Sequence, residues 1–274
     1  MKKNSAAQFI MRLPVIIAII LIYVSPMYIL TTISFKKTSD LSSYWIFPHE
    51  PTLDNFRTAI SKAGILGALG RTAVITVCVV VLVVIVSALS AYPLARNRSR
   101  LSKFFLAFVL GIMMVPPLSI LVSLYSVIVS MDGVNMYWAI ILVMLTYQLP
   151  QGIFLYMNFI KAIPIALDEA AAIDGAGPIR TFFLIIMPQL KPVTASVVIL
   201  SGINCWNDYQ FSRYILQAQR MNTVTLSISS FFSQTYSDLH SAAAAAMLAI
   251  LPVIIAFLFL QKYFIQGMID SSIK

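Results

Sequence analysis

Six long stretches almost free of charged residues constrain the fold more than any other feature of the sequence. A charged side chain at the centre of a bilayer costs about 3 kcal/mol or more, and backbone groups in lipid must be hydrogen-bonded within a helix. We therefore expect an all-α, polytopic membrane protein whose residues 1–274 form one transmembrane domain. The six expected spans lie at about 13–35, 72–95, 104–131, 134–160, 192–215 and 241–261, the fifth uncharged as far as Asn207 and apolar beyond it.

The composition excludes a water-soluble enzyme. Hydrophobic residues make up 59% of the chain and charged residues 11%, and the mean hydropathy is +0.88; a soluble domain has about 25% charged residues. The net charge of +9 suits nucleic acid, but the 19 Lys and Arg residues are scattered between apolar stretches and form no single patch. We expect lipid as the surroundings and no nucleic-acid partner.

The basic residues also predict the topology. With the N-terminus in the cytoplasm, most Lys and Arg residues fall on the inner side, as the positive-inside rule requires. The basic start is typical of a signal peptide too, but the apolar run that follows exceeds 20 residues and precedes no small-residue cleavage pattern. We expect a retained first span in a bacterial cytoplasmic membrane, with both termini in the cytoplasm.

The sequence predicts no catalytic residue, metal or cofactor in this chain. Cys78 and Cys205 lie in apolar stretches, and His49 and His240 have no Cys, Asp or Glu at ligand spacing. None of the ten glycines is followed by Lys, so the phosphate-binding loop Gly-x-x-x-x-Gly-Lys-Ser/Thr is absent. Any ATP and Mg would be bound by partner subunits.

Two features around the spans predict local structure. The segment 36–70 contains Trp45 and Phe47, then a helix-like stretch at 53–68, and we expect it to be an ordered cap on the membrane surface. Pro116 and Pro117 should kink the third span.

The loop 161–191 predicts a short helix near residue 170. Pro164 suits a first helical turn, Asp168 and Glu169 suit the positive N-terminal end, and Gly175 can end the helix. Such a lone, alanine-rich helix is not stable by itself. One interpretation is that the helix docks on another protein, whose surface can approach closely because the alanine side chains are small. The alternative is that it is a solvated connector between two spans.

The spacing within this loop resembles the EAA signature of permease subunits in binding-protein-dependent ABC importers. The triplet 169–171 is followed by Gly175, Ile185 and Pro188, with Met187 where that family has Leu. The whole chain from about Phe9 is similar to the MalG-type permeases of carbohydrate importers. The matching motifs are Tyr92-Pro93-Leu94-Ala95-Arg96, Val115-Pro116-Pro117, Leu149-Pro150, Trp206-Asn207-Asp208 and Phe264-Ile265-Gln266-Gly267.

The resemblance implies a type I ABC importer permease fold and a set of partners. These are a second, non-identical permease, two ATP-binding subunits and an extracytoplasmic solute-binding protein. The short helix would be the coupling helix, which sits in a cleft of an ATP-binding subunit. The implied coupling residues are Glu169, Ala170, Ala171, Asp174, Gly175, Gly177, Ile185 and Pro188.

Polar side chains inside two spans indicate a path for solute. They recur at helical spacing, and polar groups in spans usually face a cavity or another helix. Amide, hydroxyl and aromatic groups suit a neutral, hydroxyl-rich solute such as a sugar or oligosaccharide, although helix-to-helix hydrogen bonding is the alternative. The candidates are Tyr147, Gln148 and Gln151 in the fourth span and Asn204, Trp206, Asn207 and Asp208 in the fifth.

Three other functions fit an apolar, six-span chain. An ion-coupled secondary transporter needs ionisable groups at mid-membrane, and Asp208 is the one acid well inside an apolar stretch. A non-transporting scaffold would bind an ATPase and move no solute. An ABC permease for a non-sugar solute would have the same loop at 161–191 but different side chains along the solute path.

Overall fold

The structure is a computed structural model that describes residues 3–97, 99–232 and 237–272, with side chains described for 13–97, 99–232, 237–259 and 261. These residues are helical and irregular, apart from one antiparallel bridge between Phe232 and Ser237. The prediction of an all-α protein is confirmed.

Thirteen α-helices follow one another along the described chain. Short 3-10 turns lie at Pro117–Ile120 and Gln219–Met221, and a π-helical turn lies at Phe182–Ile186. The α-helices are α1 Lys3–Phe35, α2 Asp54–Ser61, α3 Ile65–Arg96, α4 Arg100–Met113, α5 Leu121–Ser130, α6 Tyr137–Ala162, α7 Ala166–Ile173, α8 Pro178–Thr181, α9 Met187–Gln189, α10 Lys191–Trp206, α11 Gln210–Ile215, α12 Val224–Ser229 and α13 Leu239–Ser272.

Four helical segments are long and apolar enough to cross a membrane: Leu13–Phe35, Ile65–Arg96, Tyr137–Ala162 and Leu239–Phe259. Two bent helix pairs raise the number to six if each pair is one span. The predicted span at 72–95 is longer in the structure, because α3 begins at Ile65.

Two of the expected spans are not single helices. The stretch 104–131 is divided between α4 and the helices from Pro117 to Ser130, which are bent by 95°. Adjacent prolines give a break rather than a kink, because Pro116 and Pro117 both lack a backbone donor and Pro117 keeps Pro116 extended. The stretch 192–215 is interrupted where α10 ends at Trp206, four residues before α11 begins.

The chain forms two compact units. The first contains Met1–Gly67 and Ser227–Leu251, and the second contains Ala68–Leu226 and Pro252–Lys274. In the second unit α3 and α6 approach closely at Gly152, where an added Cβ would lie 2.8 Å from the Ser87 hydroxyl oxygen. In the same unit the Tyr156 hydroxyl on α6 donates to Thr194 Oγ1 on α10 at 2.9 Å. These contacts hold α3, α6 and α10 together.

The segment between α1 and α3 is ordered in the first unit. The Asn55 side chain donates to the carbonyl oxygens of Ser34 and Lys36, at 2.9 and 2.7 Å. The expected helix at 53–68 is interrupted, because Gly64 has a φ of +59°, which ends α2 before α3 begins.

An exposed ion pair adds to this order. Lys37 Nζ lies 2.5 Å from Glu50 Oε2, and this hydrogen bond lowers the pKa of the Glu50 carboxyl and raises the pKa of Lys37. The segment is therefore bound to the end of α1 through Asn55 and joined within itself by this ion pair.

Candidate functional site

The predicted short helix is present as α7, and its end depends on one glycine. Gly175 has a φ of +78°, a left-handed conformation that residues with a Cβ rarely adopt. The Gly175 N–H donates to the Ala172 carbonyl at 3.1 Å, and the Ala176 N–H donates to the Ala171 carbonyl at 2.9 Å. This paired arrangement is the Schellman motif, which satisfies the last carbonyls of a helix.

The predicted coupling residues divide into an outward and an inward group. Ala171 is buried and Ile185 is half-buried against the core of the second unit. The others are exposed: Glu169, Ala170, Asp174, Gly175, Gly177 and Pro188. The structure therefore leaves one side of α7 and the start of α8 open.

Two isoleucines on this open side were missed by the sequence analysis. Ile173 is 87% exposed and Ile179 is 76% exposed, although neither lies in an apolar stretch long enough to span a membrane. Exposed apolar groups next to the acidic Glu169 and Asp174 are typical of a contact surface for another protein. The spacing of three and four residues from Ala170 and Glu169 was the available signal for Ile173, whereas Ile179 lies in α8, beyond the turn at Gly175, and had no such signal.

A cluster of three side chains attaches α7 to the end of α3. The Tyr92 hydroxyl donates to Asp168 Oδ1 at 2.6 Å. Arg96 Nη2 lies 2.8 Å from Asp168 Oδ2 in an ion pair, and Arg96 Nη1 donates to the Ile163 carbonyl at 3.0 Å. We call Tyr92, Arg96 and Asp168 the α3–α7 cluster. It joins the last turns of a span to the first turn of the candidate coupling helix.

Burial makes the loss of one partner costlier in this cluster than in a surface ion pair. The side chains of Arg96 and Asp168 are 15% and 16% exposed, so removing one partner would leave a poorly solvated charge. Asp168 also lies in the first turn of α7, where the helix dipole favours a carboxylate. The pattern in the sequence assigned Asp168 to that end of the helix but not to a partner on α3.

A cavity of about 960 Å³ lies beside the cluster. The Tyr92 ring contacts the Phe182 ring at 5.3 Å between centroids, which connects α3 to the π-helical turn. The cavity is therefore lined by the same segments that the cluster holds together. Its lining includes Leu89, Tyr92, Arg96, Asp168, Ala172, Ile179 and Phe183.

The candidate path residues of α6 have three different surroundings. Tyr147 is partly exposed, contacts the Phe211 ring at 5.6 Å and lines a mostly apolar cavity of about 420 Å³. Gln148 is buried, and among the described residues neither its amide nitrogen nor its amide oxygen has a hydrogen-bond partner. Gln151 is half-buried.

The remaining path candidates lie in the last turn of α10 and directly after it. Asn204 and Asn207 are exposed, whereas Trp206 lines a separate apolar cavity of about 490 Å³ with residues of α3 and α13. Asp208 accepts hydrogen bonds from the backbone N–H groups of Phe211 and Ser212 and from the Ser212 hydroxyl.

The structure thus brings some of the path candidates together and separates others. Tyr147 lies near Asp208 through Phe211, while Trp206 lines a different cavity. The carboxylate of Asp208 is already used to cap α11. A role in helix capping is therefore established for Asp208, and its role in a solute path stays a prediction.

Known proteins match nearly the full length of the chain. The chain is 41% identical over 250 residues to the melibiose/raffinose/stachyose import permease protein MelC of Bacillus subtilis (strain 168), covering 91% of each chain. It is 33% identical over 255 residues to the multiple sugar-binding transport system permease protein MsmG of Streptococcus mutans, again covering 91% of each.

A solved structure shares the fold. It is described as a bacterial ABC transporter involved in the import of the acidic polysaccharide alginate, and the match has a TM-score of 0.78 and 18% identity over 96% of this chain and 99% of that one. The expected importer permease fold is confirmed. The family model for the binding-protein-dependent transport system inner membrane component matches residues 84–270. With its helical spans, its full-length relatives and this match, the chain belongs to that family and is a permease subunit of an ABC importer.

Proposed function

We propose that this permease carries a sugar or oligosaccharide across the cytoplasmic membrane. The solute is delivered by an extracytoplasmic binding protein. The energy comes from the hydrolysis of ATP, which two separate ATP-binding subunits bind together with Mg. The proposal is supported by the named sugars and sugar systems of relatives that match nine-tenths of the chain. A maltodextrin permease of Bacillus subtilis, 29% identical over 260 residues, supports the same class.

The observation that carries the coupling step is the open side of α7. Its exposed Ile173 and the neighbouring Glu169 and Asp174 offer apolar contact flanked by charge, which suits a cleft in an ATP-binding subunit. The Schellman motif at Gly175 satisfies the last carbonyls of α7, so the helix stays intact when an ATP-binding subunit pushes on it. The proposed coupling residues remain those of the EAA loop, with Ile173 and Ile179 added.

The attachments of α7 suggest how its movement reaches the spans. Ile163 directly follows α6, and the α3–α7 cluster ties Asp168 to α3. Since α3 and α6 are in close contact at Gly152 and Ser87, a displacement of α7 moves both spans as one body. Closure of the ATP-binding subunits would thereby switch the path between inward-facing and outward-facing states.

The polar groups of the spans support a hydroxyl-rich solute. Gln148 is buried, its amide has no hydrogen-bond partner in the part of the chain that the structure describes, and an unpaired buried amide costs about 1–3 kcal/mol. A conformational change that brings water or solute hydroxyls to Gln148 would remove this cost. An ion-coupled carrier has less support, since the carboxylate of Asp208 is committed to capping α11.

The remaining parts of the proposal concern assembly and orientation. A second, non-identical permease completes the path, and both termini lie in the cytoplasm. The excess of Lys and Arg on that side supports this orientation. It places α7 on the cytoplasmic side with the ATP-binding subunits, and the segment between α1 and α3 outside.

Reconstitution tests the proposal. The permease is reconstituted in proteoliposomes with its partner permease, its ATP-binding subunits and its binding protein, and ATP is supplied on the side of the ATP-binding subunits. Uptake of labelled melibiose, raffinose and maltodextrin that needs both the binding protein and ATP is expected. Uptake driven by an ion gradient without ATP would contradict the proposal, and ATP-dependent uptake of amino acids but no sugar would overturn the solute class.

A further inference from the structure

The segment 41–47, between α1 and α2, exposes large apolar side chains on an irregular part of the chain. Leu41 is 95% exposed and Trp45 is 61% exposed, and Tyr44, Ile46 and Phe47 are each close to half exposed. We call this segment the apolar loop. A cluster of this kind normally marks a surface that contacts something other than water.

The apolar loop has a fixed shape. Lys36 is fully buried, and its ammonium donates to the carbonyl and hydroxyl oxygens of Ser42, each at 2.6 Å, and to the Ser43 carbonyl at 2.8 Å. The same ammonium lies 5.7 Å from the centroid of the Tyr44 ring, within the range of a cation–π contact. The outward direction of the apolar side chains is therefore built into the loop.

A hydrogen bond fixes the level of the loop along α1. The Tyr28 hydroxyl donates to the Trp45 carbonyl at 3.0 Å. Tyr28 lies two turns before Phe35, where α1 ends, which is about 10 Å along the helix axis. Because side chains on a helix lean towards its N-terminus, the hydroxyl is no nearer to the helix end than this. The chain therefore leaves α1 and folds back beside it.

This level lies a short way inside the outer edge of a bilayer's hydrocarbon core. The apolar stretch Leu13–Phe35 is about 34 Å long as a helix, against about 30 Å for the hydrocarbon core. With an equal overhang of about 2 Å at each end of the helix, the Trp45 carbonyl lies about 8 Å inside the hydrocarbon edge, among the upper acyl chains and just below the interface at which Trp and Tyr are enriched. Residues of α1 at and below this level, Tyr23, Val24 and Met27, are exposed as well. The loop therefore continues an apolar surface of α1 that the described residues leave uncovered.

We propose that the apolar loop inserts into the membrane interface, with phospholipid head groups and upper acyl chains as its partner. The inserted side chains are those of Leu41, Tyr44, Trp45, Ile46 and Phe47, and Lys36 holds the loop in the inserting shape. The insertion anchors the end of α1 in the outer leaflet, in the proposed orientation. The charged Asp54 and Arg57 of α2, both highly exposed, stay in water.

Spin labelling of the assembled transporter tests this proposal. Cys78 and Cys205 are replaced by Ala, and a nitroxide is attached at Leu41→Cys in nanodiscs of phosphatidylethanolamine and phosphatidylglycerol. Collision rates with oxygen, which concentrates in lipid, are compared with those of a water-soluble nickel chelate. Leu21→Cys on α1 is the lipid control and Arg57→Cys on α2 is the water control, both at highly exposed positions.

The expected ratio of oxygen to nickel collisions at position 41 is at least about threefold higher than at position 57 and approaches that at position 21. A ratio equal to that at position 57 would place the loop in water and overturn the proposal. Low collision rates with both reagents would show a protein partner covering the loop and would overturn it too. If Leu41→Cys does not assemble, Ile46→Cys in the same loop is used in its place.

Discussion

Arg96 Nη2 lies 2.8 Å from Asp168 Oδ2, which places the end of one membrane-crossing helix in direct contact with the first turn of α7. The two groups are mostly buried, and Tyr92 and the Ile163 carbonyl bind the same cluster. A force applied to α7 therefore reaches α3 through charged and hydrogen-bonded groups. It reaches α6 through the backbone that connects the two helices.

Asp168→Asn is expected to lower sugar uptake about tenfold. The change removes the negative charge that faces Arg96 but keeps an oxygen for the Tyr92 hydroxyl, so it leaves a poorly solvated guanidinium, and each tenfold loss corresponds to about 1.4 kcal/mol. Uptake and binding-protein-stimulated ATPase activity in proteoliposomes are the measurements.

A double variant separates charge from shape in this cluster. Arg96→Gln with Asp168→Asn removes both charges and leaves amides that can still donate and accept, so part of the lost uptake should return. Lys103→Ala, at an exposed position of α4, is the control and should transport normally. Uptake in the double variant no better than in Asp168→Asn would show that the ion pair is not the cause.

Substitutions at Gly175 should uncouple ATP hydrolysis from transport. At a φ of +78°, Val adds roughly 1–3 kcal/mol of backbone strain, whereas Asn adopts this conformation more readily. Gly175→Pro fixes φ near −65° and removes the N–H that bonds to Ala172, and it should abolish uptake.

The expected order of uptake is therefore wild type, Gly175→Asn, Gly175→Val and Gly175→Pro, from highest to lowest, with ATPase activity retained. Gly111→Ala is the matched control, because no described atom outside its own helix lies within 4 Å of the added Cβ. Equal uptake by the Asn and Val variants would mean that the left-handed conformation is not needed.

Glu169→Lys should abolish coupled transport by reversing a charge on the open side of α7. Glu169 is exposed, so the change leaves the permease folded and acts on the proposed contact with the ATP-binding subunit. Affinity between the subunits is measured by surface plasmon resonance in detergent and should fall at least about tenfold. The affinity of the Glu169→Gln variant should lie between those of the wild type and Glu169→Lys. Unchanged affinity and unimpaired uptake in Glu169→Lys would show that Glu169 is not in the interface.

The positions of four long apolar helices and of α7 could be predicted from the sequence because each depends on local properties. Charge-free stretches locate helices such as α6, since the cost of burying charge in lipid acts residue by residue. The boundaries of α7 follow from the preferences of alanine and glycine, and Gly175 ends it as expected. The fold class and the family were both confirmed.

Contacts between distant parts of the chain could not be predicted in this way. Nothing near Asp168 in the sequence indicates that its partners are Tyr92 and Arg96, because that pairing depends on how α3 and α6 pack. The break at Pro116 was underestimated as a kink, since the combined effect of two prolines depends on what else can satisfy the freed carbonyls. Likewise, the separation of Trp206 from Tyr147 into different cavities follows from helix packing.

Gly152→Ala should destabilise the permease, because the added Cβ would lie 2.8 Å from Ser87 Oγ and 2.9 Å from Ser87 Cβ. Overpacking of this kind costs about 1–3 kcal/mol, which lowers the unfolding temperature by several degrees in a chain of this size. Thermal unfolding in detergent, followed with a thiol-reactive dye, is the measurement. Gly202→Ala is the control, because its Cβ would meet Val80 at an ordinary 3.8 Å.

Substitutions at Asp208 distinguish helix capping from contact with solute. Asp208→Ala removes the acceptor for the Ser212 N–H and hydroxyl, and the loss of such a cap costs about 0.5–2 kcal/mol. Asp208→Asn keeps an acceptor for the N–H and should retain most of the stability. If capping is the whole role, uptake at saturating sugar follows stability and the apparent KM is unchanged in both variants. A permease with Asp208→Asn that keeps its unfolding temperature but loses uptake about tenfold at saturating sugar would instead place the carboxylate in the solute path, because an intact cap does not explain that loss.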